Sequence, residues 1–437
     1  MTPKKLGKAL LCKLMEKQSR KLRQKYKFTV VAVAGSVGKT STKLAIAKTL
    51  ASSMRIRYQD GNYNDRLTVP LILFGHDQPG IFNLLAWAKI LRDNNKQLRH
   101  GFPYDVVVVE LGTDGPGQLR QFEYLRPDIT VVTAVAAEHM EYFGNLDAVA
   151  REELQPLAYS AKVVLNIDDI SADYLPATPF TTYGLTNGDY HLERRQSEGI
   201  NGQLIELKLS NNRTLKTSIA SLGTQGAKIC LAAIAVADII GLTEDQIKAG
   251  LAEVKPAAGR LQVLSGINNS TILDDTYNAT PSAMKAALDV LQSLEAPQRI
   301  AILGSMNELG KDSAEMHSSV GSVCNSELID LIVTVGSQAS EHLAQAARAQ
   351  GCKVETFVNP YQAGHFVADH LEEGAIILAK GSQNGVFAEE ALKMLLNKPG
   401  DAQKLVRQSD EWLKIKRSMF GPMPPAPTES TYPLVAP

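Results

Sequence analysis

The stretch Thr29-Val30-Val31-Ala32-Val33-Ala34, followed by Gly35-Ser36-Val37-Gly38-Lys39-Thr40-Ser41, constrains this chain more than any other. The β-branched apolar run predicts a buried strand, the two glycines a tight turn, and the Lys-Thr pair the first turn of a helix. Each residue type has a physical role in holding phosphate. Gly35 and Gly38 let the amides of the loop, including those at Ser36, Val37 and Ser41, curl around phosphate oxygens at a helix N-terminus. Lys39 reaches the β- and γ-phosphates, and the Thr40 hydroxyl can ligate Mg²⁺. A plain strand-to-helix turn would account for the glycines but not for Lys39 and Thr40 directly after them. The loop is a nucleotide site, which by itself does not separate a ligase from a motor, a kinase or a GTPase.

At 437 residues the chain exceeds what one hydrophobic core serves, so two or three domains are expected. From Phe28 onward, short β-branched runs at 29–34, 104–110, 129–133 and 162–166 alternate with helical stretches. This rhythm predicts an α/β domain with a mostly parallel sheet. Between residues 180 and 220 the texture changes to alternating strands at 204–209 and 215–219, broken by Asn201-Gly202 and Asn211-Asn212, which predicts a small antiparallel insert. A second βα series with strands at 270–274, 299–303, 331–335 and 375–379 predicts a separate, Rossmann-like domain. The divisions expected are a basic N-terminal helix (1–27), a central domain (28–257), a C-terminal domain (258–417), and a disordered proline-rich tail (418–437).

The first 27 residues carry ten Lys or Arg against Glu16 alone, in a chain of zero formal net charge. Leu6, Leu10 and Leu14, with Leu11, Met15 and Leu22 nearby, recur near helical spacing. This is a basic amphipathic helix rather than a signal peptide. It either packs its leucines on the next domain or meets an anionic membrane or a protein partner. Nucleic acid is not expected, because only Tyr26 and Phe28 stand near the basic residues as stacking groups. No apolar run approaches the roughly 20 residues that span a bilayer. The dispersed cysteines, Cys12, Cys230, Cys324 and Cys352, fit a reducing, cytoplasmic setting with inert thiols.

Two further groups fall at carboxyl ends of predicted strands, where ligands of open α/β sheets sit. Glu110 ends the run Val106-Val107-Val108-Val109, and His139 follows the strand at 129–133. A carboxylate and a neutral imidazole are both candidate metal ligands.

In order along the chain, these residues resemble the Mur ligase family. The resemblance rests on the loop at 35–40, Gly61-Asn62-Tyr63-Asn64, Glu110-Leu111-Gly112 and His139 to Gly144. In the second half it rests on Gly259-Arg260, Asp274-Asp275-Thr276-Tyr277-Asn278-Ala279, Met306-Asn307-Glu308-Leu309-Gly310 with His317, and Lys380-Gly381-Ser382. Within the family the pattern is most similar to the branch that adds D-alanyl-D-alanine to a muramoyl-tripeptide in peptidoglycan synthesis. The resemblance implies ATP and Mg²⁺ as cofactors, a carboxylate activated as an acyl phosphate, and a small-molecule or peptide amine that attacks it. It implies that Thr40, Glu110 and His139 serve as metal ligands and that Arg260 approaches the phosphates from the far domain. Asp275 and Asn278 would face the ribose and adenine, and Asn62, Asn64, Glu308 and Ser382 the substrates.

Glu153 stands where many family members carbamylate a lysine, and a glutamate carries that negative charge without CO₂, so Glu153 joins the implied catalytic and metal set. Only some 27 residues precede the phosphate strand, leaving the family's N-terminal UDP-gripping domain unmatched. Ser305 and Gln383 replace an Asp and an Arg common in the family, and Ile229 replaces an adenine-side Asn. Two alternatives therefore stand beside the cell-wall reading: a ligase of the same kind acting on a folate, poly-γ-glutamate or cyanophycin-like carboxylate, and a non-catalytic nucleotide-binding regulator.

Overall fold

The run Thr29–Ala34 forms a strand, β1, that is buried on both faces from Val30 onward, as a continuous β-branched sequence requires inside a parallel sheet. The computed structural model describes residues 3–61 and 63–423. These divide into two units, the first running to Lys255 without residues 198–201, and the second comprising those four residues and the chain from Pro256.

In the first unit β1 is joined by β2 (Ile56–Arg57), β3 (Val106–Glu110), β4 (Ile129–Val132), β5 (Lys162–Asn166), β6 (Thr181–Gly184), β7 (Tyr190–Ser197), β8 (Gln203–Lys208) and β9 (Thr214–Ile219). Among the described residues they make one sheet in the order β2-β3-β1-β4-β5-β6-β7-β8-β9. Pairing is parallel from β2 through β7 and antiparallel from β7 to β9. The antiparallel strands thus extend the main sheet rather than forming a sheet of their own.

The helices of this unit are α1 (Pro3–Lys25), α2 (Lys39–Ala51), α3 (Thr68–Phe74), α4 (Leu84–His100), α5 (Met140–Phe143), α6 (Leu146–Glu153), α7 (Gly223–Ile240) and α8 (Glu244–Ala252). Ile46 and Leu50 of α2, Leu231 and Ile234 of α7, and Ile247 of α8 pack in one core cluster with Val31, Val33 and Val108 of the sheet. By length and composition α7 could cross a membrane, but 61% of it is buried inside the protein, as befits a core helix. Residues pointing from β1 and β3 to the other face, Val30, Ala32, Val107 and Val109, cluster with Val69, Ile72 and Leu73 of α3 and with Leu22 of α1.

α1 therefore belongs to the first unit, and the stripe that holds it is not its leucine repeat. Cys12, Met15, Ser19 and Leu22, spaced three or four apart, are buried, whereas Leu6, Leu10 and Leu14 lie on the opposite face, exposed. Polar contacts fix the packed face: Gln18 Nε2 donates to the Leu91 carbonyl at 2.9 Å, and the Arg66 guanidinium meets Glu16.

The second unit has its own sheet, from β10 (Gln262–Ser265), β11 (Thr271–Asp275), β12 (Arg299–Gly304), β13 (Leu331–Val335), β14 (Val354–Phe357) and β15 (Ile376–Lys380). Their order is β10-β11-β15-β12-β13-β14, parallel except for β10. Its helices are α9 (Pro281–Ser293), α10 (Ser313–Gly321), α11 (Ala344–Ala349), α12 (Pro360–Asp369), α13 (Glu389–Leu392) and α14 (Asp410–Phe420). Two buried acids of α13 anchor α14: Lys416 Nζ lies 2.9 Å from Glu389 and 2.7 Å from Glu390, while Arg407 and Lys393 complete the neutralisation. Residues 424–437, most of the proline-rich tail, lie outside the described residues. All four cysteines are buried and free.

Candidate active site

β1 delivers the chain into the phosphate loop at the carboxyl edge of the first sheet, and two glycines make the turn. Gly35 has φ +117°, and a Cβ there would fall 2.4 Å from Thr133 Oγ1 and 2.8 Å from the Ala134 amide nitrogen, so only glycine fits. Gly38, at φ +85°, precedes the first turn of α2, which carries Lys39 and the buried Thr40. Ser36 fastens the loop to the neighbouring strand end, its amide donating to the Ala134 carbonyl and its hydroxyl accepting from the Ala136 amide. Val37 and Ser41 are half-buried on either side.

The Lys39 ammonium lies 3.3 Å from the Ser36 carbonyl, 3.3 Å from Glu138 and 3.9 Å from Glu153. Burial alone would lower its pKa, but the charges of Glu138, Glu153 and Glu110 outweigh burial and raise it. Lys39 is therefore a fixed cation at neutral pH. Glu153 closes α6, a helix capped by the Asn145 side chain on the Ala148 amide. It is 1% exposed, and its Oε2 accepts from the Gly35 amide at 2.7 Å. Burial pushes the Glu153 carboxyl up, Lys39 opposes this, and a hydrogen bond with Glu138 adds to it. The adjacent Glu152 points elsewhere and holds the Gly117 and Leu119 amides at 2.6 Å each.

Glu110 ends β3 almost fully buried. Its Oε1 accepts from Asn64 Nδ2 at 3.2 Å, and a Cβ at Gly112 would collide with that amide at 2.4 Å. Its Oε2 has no hydrogen-bond donor and stands 3.4 Å from the fully buried Lys43, which also donates to the Gly61 carbonyl. A buried carboxylate oxygen beside a phosphate loop, ion-paired to Lys43 but without a hydrogen-bond donor, fits a cation ligand. His139 has left-handed φ/ψ, and its Nε2 lies 3.9 Å from Asp114 Oδ1. Among the described residues no three His, Cys, Asp or Glu side chains converge on one point. Thr40, Glu110, His139 and Glu153 thus surround the loop as separate groups. Asn62 lies outside the described residues.

In the second unit the remaining candidates gather at the carboxyl ends of β11, β12 and β15. Lys380 Nζ binds Asp275 Oδ2 at 2.6 Å and the Asn278 carbonyl at 2.9 Å, and Asp275 Oδ1 accepts from the Leu261 amide. Arg260 lies with its guanidinium carbon 4.0 Å from the Tyr277 ring centroid, its buried Nε without a partner. Ser382 Oγ accepts from the Asn307 amide and donates to the Ala279 carbonyl, which links two motifs, while Glu308 takes a left-handed φ of 63° beside them. His317 Nε2 accepts from the Met306 amide, so the ring is neutral, and burial lowers its pKa.

Asp274 gives a test of this cluster. Burial pushes its carboxyl up to about 6, two hydrogen bonds from Thr276 oppose the shift, and Oδ2 has no partner. Between the ordinary carboxylate range and pH 6 the folded state then holds a proton that the unfolded state has lost, so stability should fall as pH rises through that window. Asp274→Asn should flatten this slope in thermal melts taken from pH 4 to pH 7. An unchanged slope would show that Asp274 is charged when folded.

Two groups of this site escape sequence reasoning. Lys43 follows Lys39 by one helical turn, a spacing that could have marked it, and Glu138 sits beside the more conspicuous His139.

Residues 33–237 match the Mur ligase middle domain and residues 259–383 the Mur ligase, glutamate ligase domain. The chain is 30% identical over 334 residues to the UDP-N-acetylmuramoyl-tripeptide–D-alanyl-D-alanine ligase of Escherichia coli, an overlap of 73% of this chain and 67% of that protein. It is 26% identical over 378 residues to the Bacillus subtilis enzyme of the same name, covering 85% of this chain and 76% of the other. In fold it is similar to the crystal structure of the MurF ligase from Thermotoga maritima in complex with ADP. The TM-score is 0.71 at 24% identity, covering 90% of this chain and 84% of that one.

Proposed function

Because this chain belongs to the Mur ligase family of ATP-dependent ligases, we propose that it joins D-alanyl-D-alanine to the terminal carboxylate of a muramoyl-peptide in the cytoplasm. The observation that carries the proposal is the Lys39 ammonium held at the phosphate loop among Glu110, Glu138 and Glu153. A carboxylate that attacks a triphosphate brings two anions together, so the transition state needs fixed positive charge at the γ-phosphate. Lys39 and the loop amides supply part of that charge.

In the first step a carboxylate oxygen bonds to the γ-phosphorus and the bond to the ADP oxygen breaks, giving an acyl phosphate. The dipeptide amine then attacks the acyl carbon, phosphate leaves, and the nitrogen loses a proton. Mg²⁺, when bound, offsets phosphate charge, and Glu110, whose Oε2 lacks a hydrogen-bond donor, and Thr40 beside the loop would hold it. Glu153 and His139 are proposed for a second ion, Glu153 in place of a carbamylated lysine. Arg260, Asp275 and Asn278 are assigned to the nucleotide. Asn62, Asn64, Glu308 and Ser382 are assigned to the two substrates.

The test is mass spectrometry of products after UDP-muramoyl-tripeptide and D-alanyl-D-alanine are offered with Mg-ATP. One amide product with stoichiometric ADP and phosphate is expected, and phosphate release should require both substrates. Amide formation only with folate or a glutamate chain would move the carboxylate assignment. ATP hydrolysis indifferent to both substrates would overturn the ligase step.

A further inference from the structure

α1 and α4 lie side by side on the first unit and run parallel. Gln18 bonds the Leu91 carbonyl and Lys25 the Leu98 carbonyl, each across 73 positions of sequence. This register sets the start of α4 beside Leu11, in the first half of α1, and both helices expose apolar side chains there. Leu84 and Leu85, the first two residues of α4, are 77% and 86% exposed, and Phe82 just before them is 73% exposed. Leu6 and Leu10 of α1 are 62% and 60% exposed. Beside them lies a mostly apolar hollow of about 370 Å³ lined by Gly7, Lys8, Leu11, Ile81, Phe82, Leu84 and Trp87. Large apolar side chains so clustered on a surface mark a docking site rather than scattered exposure.

Behind the apolar end both helices turn basic on their outward faces. On α4, Leu85 is followed at helical spacing by Lys89, Arg92, Lys96 and Arg99, all exposed. On α1, Leu6 and Leu10 give way to Lys13, Lys17 and Lys21, also exposed. Acids hardly interrupt this field: the single acid of α1, Glu16, is buried against Arg66, and the single acid of α4, Asp93, is half-buried.

We propose that this two-helix face docks on an anionic lipid bilayer, with Leu84, Leu85, Leu10 and Phe82 entering the acyl boundary and the lysine and arginine rows lying in the headgroup layer. An anionic membrane offers an apolar interior directly beneath a negative surface, the same succession that the two helices present. Nucleic acid would satisfy the cations but leave the leucines in water. A second copy of the chain would bring the same positive field against itself. Basic clusters on amphipathic helices bind anionic lipid in proportion to their number, so the contact should be salt-sensitive.

The test is co-sedimentation of the full chain with vesicles of phosphatidylcholine alone or of phosphatidylcholine with phosphatidylglycerol. Binding is expected to the anionic vesicles only and to weaken as salt is raised. Two variants separate the contributions: Lys13→Glu with Lys17→Glu and Lys21→Glu, and Leu10→Ser with Leu84→Ser and Leu85→Ser. Each should lower vesicle binding at least about tenfold, with ligase turnover and melting temperature unchanged. Failure of the wild type to sediment, equal binding to neutral vesicles, or undiminished binding by both variants would each overturn the proposal. So would a dimer or a nucleic-acid complex, formed without vesicle binding and lost in the same variants.

Discussion

Lys39→Ala should abolish turnover, lowering kcat/KM by about 10³-fold or more. The side chain is the cation held at the phosphate loop between Glu138 and Glu153. Lys43, the next lysine on α2, is fully buried against Glu110 and the Gly61 carbonyl one turn further on. The substitution also removes the positive charge between Glu138 and Glu153, so a second effect is expected. Leaving buried carboxyls without their cation destabilises a fold by about 3–5 kcal/mol in the worst case, less where one acid takes up a proton. Calorimetric titration with ADP and a thermal melt therefore belong beside the activity assay. Lys39→Arg keeps the charge, so it should restore the melting temperature while leaving phosphate geometry, and hence turnover, impaired. A Lys39→Ala protein that turns over at the wild-type rate would remove the basis for the phosphate loop.

Much of this site is legible in sequence because strand, turn and helix start are each dictated locally. Val30–Val33 can only be a doubly covered strand, and the Lys39-Thr40 pair follows the glycines without interruption. Parallel central strands such as β3, β12 and β15 show equally well, since burial on both faces demands unbroken apolar runs. The edge strands β10 and β14 do not. Gln262–Ser265 and Val354–Phe357 are half exposed, so their sequences lack that signal.

The leucine repeat of α1 misleads for a different reason. Periodicity reveals a face but not its partner: of the residues read from sequence Met15 and Leu22 pack, joined by Cys12 and Ser19, whereas Leu6, Leu10 and Leu14 stay exposed. Tertiary proximity is the part that no spacing conveys. Glu138 reaches Lys39 across 99 positions, and Lys43 joins Glu110 from another element altogether. His139, too, has its Nε2 3.9 Å from Asp114, a neighbour that no spacing in the sequence suggests.

Glu153→Gln is expected to reduce kcat by about 10²-fold while leaving the melting temperature nearly unchanged. The wild-type carboxylate does two separable things. It accepts the Gly35 amide, which an amide oxygen can do equally well, and, although burial pushes its carboxyl up to about 8, a bound cation would ionise it and so place beside Lys39 a negative charge that an amide cannot carry. If charge is what the site requires there, the glutamine protein should fold, keep its loop and lose turnover. Nucleotide affinity measured over a range of Mg²⁺ supplies a readout apart from activity, since the lost charge should raise the Mg²⁺ concentration needed for tight ADP binding. Bicarbonate should have no effect on the wild type, because a carboxylate built into the chain needs no CO₂. Strong activation by bicarbonate, or full turnover in the glutamine variant, would instead mean that Glu153 only props the loop open through its bond to Gly35 and that the charge resides elsewhere, with Glu138 the nearest alternative.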